Sequence, residues 1–138
     1  MNAIDTNIWI YSHDDRDLHK QLVAQQLIAS VRPLALPWQV GCEFIAASRK
    51  LAALGFDEAK AWLALAKMQA MADAILLPTP PLWAETQALQ RRHALSFWDA
   101  LLAAICIQGG VQVLYSEDMG APRALDSLSV VNPFPTAP

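Results

Sequence analysis

Short apolar segments that stop on polar residues or proline recur along this chain, at 1–4, 34–36, 74–77, 111–115 and more weakly 129–133, and helical segments occupy most of the sequence between them. That alternation most constrains the fold. Parallel strands need crossover connections, and the helices that provide them cover both faces of the sheet, so the strands become apolar throughout. The expected architecture is therefore α/β, a parallel sheet between helical layers. A chain of 138 residues with 54% hydrophobic content is enough for one domain with a sizeable core.

The helices are marked by their caps. Asp5-Thr6-Asn7 ends the first strand and opens the apolar stretch 8–11. Asp14-Asp15-Arg16-Asp17 precedes a helix whose stripe reads Leu18, Leu22, Val23, Leu27 and Val31, and those acids are expected in water at its start. Pro37 begins a helix expected over 38–54, stopped by Gly55, and Asp57-Glu58 caps a partner over 59–72, making a helical hairpin. A helix over 82–94 ends on Arg91-Arg92-His93, where positive charge suits the carbonyl end. Residues 119–126 show no pattern, and 133–138 form a proline-rich tail.

The longest uninterrupted apolar run, 100–107, is too short to span a bilayer, and no charged-then-apolar leader precedes the first strand. A soluble, cytoplasmic protein without a membrane partner is expected. Cys42 and Cys106 lie in apolar helical surroundings without metal-ligand spacing and are expected as buried packing residues; His13 and His19 are expected at the surface.

Four acids invite a common explanation. Asp99 stands in Ser96-Phe97-Trp98-Asp99-Ala100, where a helix cap accounts for it as well as a functional role does. Asp5 is open to the same two readings. Glu43 is not a cap: it shares a helix face with Val40 and Ala47, and an acid there is at the stripe's edge in water, salt-bridged, or bound to a cation. Asp118 follows the strand 111–115 within Ser116-Glu117-Asp118. All four map to the carboxyl edge of the sheet, where α/β proteins bind ligands. Converging carboxylates raise one another's pKa unless a counter-charge is present, and an oxygen-only donor set points to Mg2+ or Mn2+. Such a site suits phosphodiester hydrolysis.

Net charge is -3, which by itself disfavours a nucleic-acid partner, yet setting those four aside leaves nine acids against ten Lys and Arg. Arg49, Lys50, Arg91 and Arg92 are candidates for RNA phosphate contacts, each with solvation or a helix end as its simpler explanation.

Taken in order, Asp5-Thr6-Asn7, the helical Glu43, Ser96-Phe97-Trp98-Asp99-Ala100 and Leu114-Tyr115-Ser116-Glu117-Asp118 leading to Val131-Asn132-Pro133-Phe134 resemble the PIN-domain ribonucleases, specifically VapC-type toxins of bacterial toxin–antitoxin pairs. The resemblance covers essentially the whole chain. It implies a PIN-like three-layer α/β/α sandwich with strand order 3-2-1-4-5, and Mg2+- or Mn2+-dependent endonuclease activity on RNA. It gives catalytic and metal-site roles to Asp5, Glu43, Asp99 and Asp118, and supporting roles to Thr6, Asn7 and Ser116. It further implies a cognate antitoxin and a homodimer, with the hairpin over 37–72 and neighbouring surfaces serving those contacts. Two other readings remain open on the residues: a phosphatase-like hydrolase with Asp5 as nucleophile, which lacks a second acid at Asn7, and a catalytically idle binding module.

Overall fold

The computed structural model describes residues 1–134; residues 135–138, most of the expected proline-rich tail, lie outside the described residues. In chain order the elements are β1 (Asn2–Ile4), α1 (Thr6–Tyr11), α2 (Leu18–Ser30), β2 (Ala35–Pro37), α3 (Trp38–Ser48), a 3-10 turn (Arg49–Leu54), α4 (Glu58–Met71), β3 (Ala74–Leu76), α5 (Leu82–His93), α6 (Phe97–Gln108), β4 (Val113–Tyr115), β5 (Arg123–Leu125) and β6 (Leu128–Val131).

β1 pairs in parallel with β4, β4 with β6, and β2 with β3. A parallel bridge between Asn2 and Leu34 joins the two sets, so the order reads β3-β2-β1-β4-β6, matching the order expected from the resemblance. β5 adds an antiparallel strand outside β6. The central strands are apolar because they are covered on both sides: Ala3, Ile4 and Leu114 are fully buried. Trp9 is buried beneath them with its indole N–H donating to the Ile4 carbonyl at 3.1 Å.

α6 is apolar all round for the same reason. Ala100, Leu102, Ala103, Ala104, Ile105 and Cys106 are all buried. Burial pushes the Cys106 thiol well above its ordinary pKa, so it is an inert packing group. α3 and α4 pack together as the expected hairpin.

Several local expectations are corrected. β5 lies inside the segment that showed no pattern: three residues between turns are too short for a visible alternation, and the turn into β6 uses Asp126 at φ 54°, a left-handed conformation Asp tolerates. The helix expected over 38–54 ends at Ser48 and tightens into the 3-10 turn before Gly55, whose φ of 96° ends it. Of the stripe expected on α2, Val31 is buried and Val23 and Leu27 pack against the core, but Leu18 and Leu22 are exposed and the buried positions within the helix are Ala24 and Ile28. Asp14 is buried rather than solvated, with Arg16 donating to both of its oxygens at 2.9 Å. Cys42 is exposed on α3, not buried. His13 is half-buried, stacked on Phe56 at 4.4 Å and edge-on to Phe44, while His19 is exposed as expected.

Leu114 occupies the middle of β4 between β1 and β6. Leu114→Ala should leave a cavity and lower the unfolding free energy by about 3 kcal/mol, read from urea denaturation.

Candidate active site

Asp5 is the first residue past β1, and its backbone N–H continues the ladder by donating to the Tyr115 carbonyl at 2.9 Å. The residue is also the N-cap of α1, with φ -69° and ψ 156°. Its Oδ1 accepts from the Thr6 N–H at 2.7 Å and its Oδ2 from the Ser116 hydroxyl at 2.8 Å. Ser116 is fully buried, and its Oγ in turn accepts from the Asp118 backbone N–H at 3.0 Å. Asn7 reaches across to donate from Nδ2 to Asp118 Oδ2 at 3.0 Å. The residues Asp5, Thr6, Asn7, Ser116 and Asp118 thus form one hydrogen-bonded unit at the carboxyl ends of β1 and β4.

The other two acids arrive on helices. Glu43 lies in the second turn of α3, where Gln39, one turn earlier, donates to its Oε1 at 2.8 Å. Asp99 lies in the first turn of α6, whose N-cap is Ser96. The cap uses the Asp99 backbone, which donates to Ser96 Oγ at 3.2 Å, and leaves the carboxylate out of it. The cap therefore accounts for the backbone of Asp99 and not for its carboxylate.

Asp5, Glu43, Asp99 and Asp118 line a single cleft of about 400 Å³, together with Thr6, Asn7, Ala46 and Ala47. Asp5 and Asp99 are half-buried, whereas Glu43 and Asp118 are exposed. The lining holds no basic side chain. Among the described residues, no three acidic, histidine or cysteine side chains close to common metal-ligating distance, so the carboxylates wall the cleft without meeting at a point. Burial raises the Asp5 pKa above the usual carboxylate range, and the charges of Glu43 and Asp118 add to it; the Ser116 and Thr6 hydrogen bonds oppose it. Thr6 Oγ1 and Gln39 Oε1 are enclosed with no hydrogen-bond partner.

The basic candidates do not join this cleft. Arg49 and Lys50 are exposed on the 3-10 turn, and Arg49 borders a separate recess beside Asp57 and Glu58. Arg91 is exposed at the end of α5, and Arg92 is paired with Asp126, its Nη2 2.5 Å from Oδ2.

Two features escaped the sequence reading. Gln39 stands four residues before Glu43, an i,i+4 spacing that carries the signal. Lys20 bonds Glu117 at 3.0 Å and lies over the Tyr11 ring at 4.6 Å, while the Tyr11 hydroxyl bonds Glu117 as well. Nothing local in the sequence links those three.

A parallel α/β sheet with an all-oxygen acidic cleft at its carboxyl edge defines a class of ligand-binding α/β proteins. Within it, the chain belongs to the PIN domain family, which matches residues 3–124. Among curated proteins, none matches the sequence significantly. Solved structures share the fold. A chain from a toxin–antitoxin complex of Klebsiella pneumoniae is 19% identical with a TM-score of 0.73, over 97% of this chain and 98% of that one. VapC20 of Mycobacterium tuberculosis, a toxin that cleaves the sarcin–ricin loop, is 19% identical with a TM-score of 0.70, over 94% and 99%. VapBC2 of Rickettsia felis, solved with a DNA fragment from its promoter, contains a chain 14% identical with a TM-score of 0.65, over 94% and 96%.

Because the Asp5 pKa is raised on folding, the folded chain holds this proton more tightly than the unfolded one, and stability falls as pH rises through the interval above the ordinary carboxylate pKa. Asp5→Asn removes that penalty. In metal-free buffer at neutral pH its Tm should equal or exceed that of the native chain, with the gap closing as pH falls toward 4, the ordinary carboxylate range.

Proposed function

We propose that this chain is a divalent-metal-dependent endoribonuclease acting as the toxin of a toxin–antitoxin pair, with Asp5, Glu43, Asp99 and Asp118 as its catalytic and metal-site residues. One observation carries the reading: four carboxylates from separate parts of the chain line one cleft that contains no basic side chain. The membership in the PIN family and the fold shared with a toxin that cleaves an RNA loop support the substrate class.

The residues present fit a hard cation. Their donors are all oxygen, burial and then the charges of Glu43 and Asp118 raise the Asp5 pKa, and Thr6, which lines the cleft, carries an enclosed oxygen without a partner. Mg2+ or Mn2+ would be held by the four acids, and when bound it would polarise a phosphoryl oxygen and supply a nucleophilic hydroxide from water. The chain's own residues do the rest. Ser116 and Thr6 N–H fix both oxygens of Asp5, and Asn7 fixes one oxygen of Asp118. Asp118 Oδ1 and Glu43 Oε2 accept no hydrogen bond among the described residues, so either is placed to take a proton from the attacking water.

An uncompensated acidic cleft repels a phosphodiester backbone, so RNA binding as well as cleavage should need the cation. The same reading gives the chain a cognate antitoxin and a second copy of itself as partners. Exposed Trp38, Trp62 and Leu63 on the α3/α4 hairpin supply apolar surface for such contacts. Among the described residues no helix is long and apolar enough to cross a membrane; a cytoplasmic location accords with an RNA target.

Purified chain should cut a structured RNA with Mg2+ or Mn2+ and not with chelator. Asp99→Asn should lower that rate by about a hundredfold or more, since the metal's charge stabilisation is several kcal/mol. Ser96→Ala should do the opposite, lowering stability by about 1 kcal/mol and leaving cleavage in place. Equal cleavage by Asp99→Asn and the native chain, or no cleavage by the native chain with either cation, would overturn the reading.

A further inference from the structure

Glu43 and Asp99 come from different helices, and one side chain bonds both Glu43 and the backbone of the residue before Asp99. Gln39 Nε2 donates to Glu43 Oε1 at 2.8 Å and to the Trp98 carbonyl at 3.2 Å, one residue before Asp99. Both amide protons are therefore engaged, and both acceptors are oxygens, which fixes which way the amide faces. Its own Oε1 is enclosed and has no partner.

We propose that Gln39 is a positioning residue that sets the spacing of Glu43 and Asp99 and so tunes the cleft's affinity for a divalent cation, an inference that rests on the reading of this cleft as a cation site. Glu43 is exposed on a long side chain, and Asp5 repels it. Without a tether it rotates into water, where its charge is better solvated. A neutral amide holds it against that tendency without supplying a counter-charge. Lysine or arginine in the same place would hold Glu43 too, but would occupy the field meant for the cation. The bond to the Trp98 carbonyl extends the tether to the first turn of α6, so it resists a shift of α3 relative to α6 that would change the distance between the two acids. Partners that orient a metal's ligands are ordinarily needed for full affinity.

The test uses the full chain and Mn2+ alone, titrated by calorimetry and by electron paramagnetic resonance. The native chain should bind Mn2+, and Gln39→Met, which keeps the volume and loses both donors, should bind it about 10- to 100-fold more weakly. Its RNA cleavage should fall at low Mn2+ and recover most of the native kcat at saturating Mn2+, a rescue that general damage to the fold does not allow. Gln39→Asn keeps the amide but is a methylene short of spanning both acceptors, and should follow the same course; it decides the matter if Gln39→Met does not fold. Native-like Mn2+ affinity in a folded variant, or a loss of kcat that saturating Mn2+ leaves in place, overturns the proposal while the cation site stands. Absence of Mn2+ binding by the native chain, matched by Asp5→Asn, defeats the underlying site reading instead.

Discussion

The half-buried carboxylate of Asp5 sets the constraint under which the surrounding structure is arranged. Removing part of its hydration raises its pKa, and only the Thr6 N–H and the Ser116 hydroxyl compensate. Ser116 reaches it because β1 and β4 pair in the register Ile4 to Tyr115, which places the next residue of each strand side by side. A slip of one residue would turn Ser116 to the other face and leave an Asp5 oxygen without its donor. Sheet register and site chemistry are therefore one condition. The same hydroxyl accepts from the Asp118 backbone, so the loop after β4 takes its position from the carboxylate it helps to hold.

Neutral amides orient the acids at the cleft mouth. Asn7 donates to Asp118 and Gln39 to Glu43, each at hydrogen-bond distance and each without a charge. Three cations are paired with acids outside the cleft: Lys20 with Glu117, Arg16 with Asp14 and Arg92 with Asp126. The distribution keeps the cleft's negative field uncompensated while fixing the geometry of the groups that generate it. Part of the chain's net charge of -3 is therefore concentrated at one edge of the sheet.

Strand positions, their order and the four acids were legible in the sequence because each rests on a local signal or an ordered motif. An apolar run ending on Asp, Ser or Pro marks where a parallel strand meets its loop, and Ser96 three residues before Asp99 marks a helix start. The parts that were not legible depend on partners distant in sequence. β5 exists only through its pairing with β6, and nothing in Arg123-Ala124-Leu125 alone requires a strand. The α2 stripe held for Val23, Leu27 and Val31 and failed for Leu18 and Leu22, because Ala24 and Ile28 take the buried positions. Arg92, a helix-end charge and a candidate phosphate contact on sequence, is paired with Asp126, which lies 34 residues away in the chain. Gln39 stood in plain view at four residues from Glu43, but its second acceptor, the Trp98 carbonyl, belongs to another helix.

The acids also differ in how firmly their elements are anchored. Asp99 projects from a helix buried nearly all round, so its backbone is held by the core itself. Asp5 is held by the strand ladder. Glu43 stands on the exposed side of α3, a helix that the core holds through Val40 and the neighbouring Phe44 and that runs into a 3-10 turn after Ser48. Two buried oxygens without partners, on Thr6 and Gln39, add a desolvation penalty of about 1–3 kcal/mol each. A cross-link from α3 to the first turn of α6 ties an acid on an exposed helix face to the helix that carries Asp99. The Gln39 side chain provides it with a single amide.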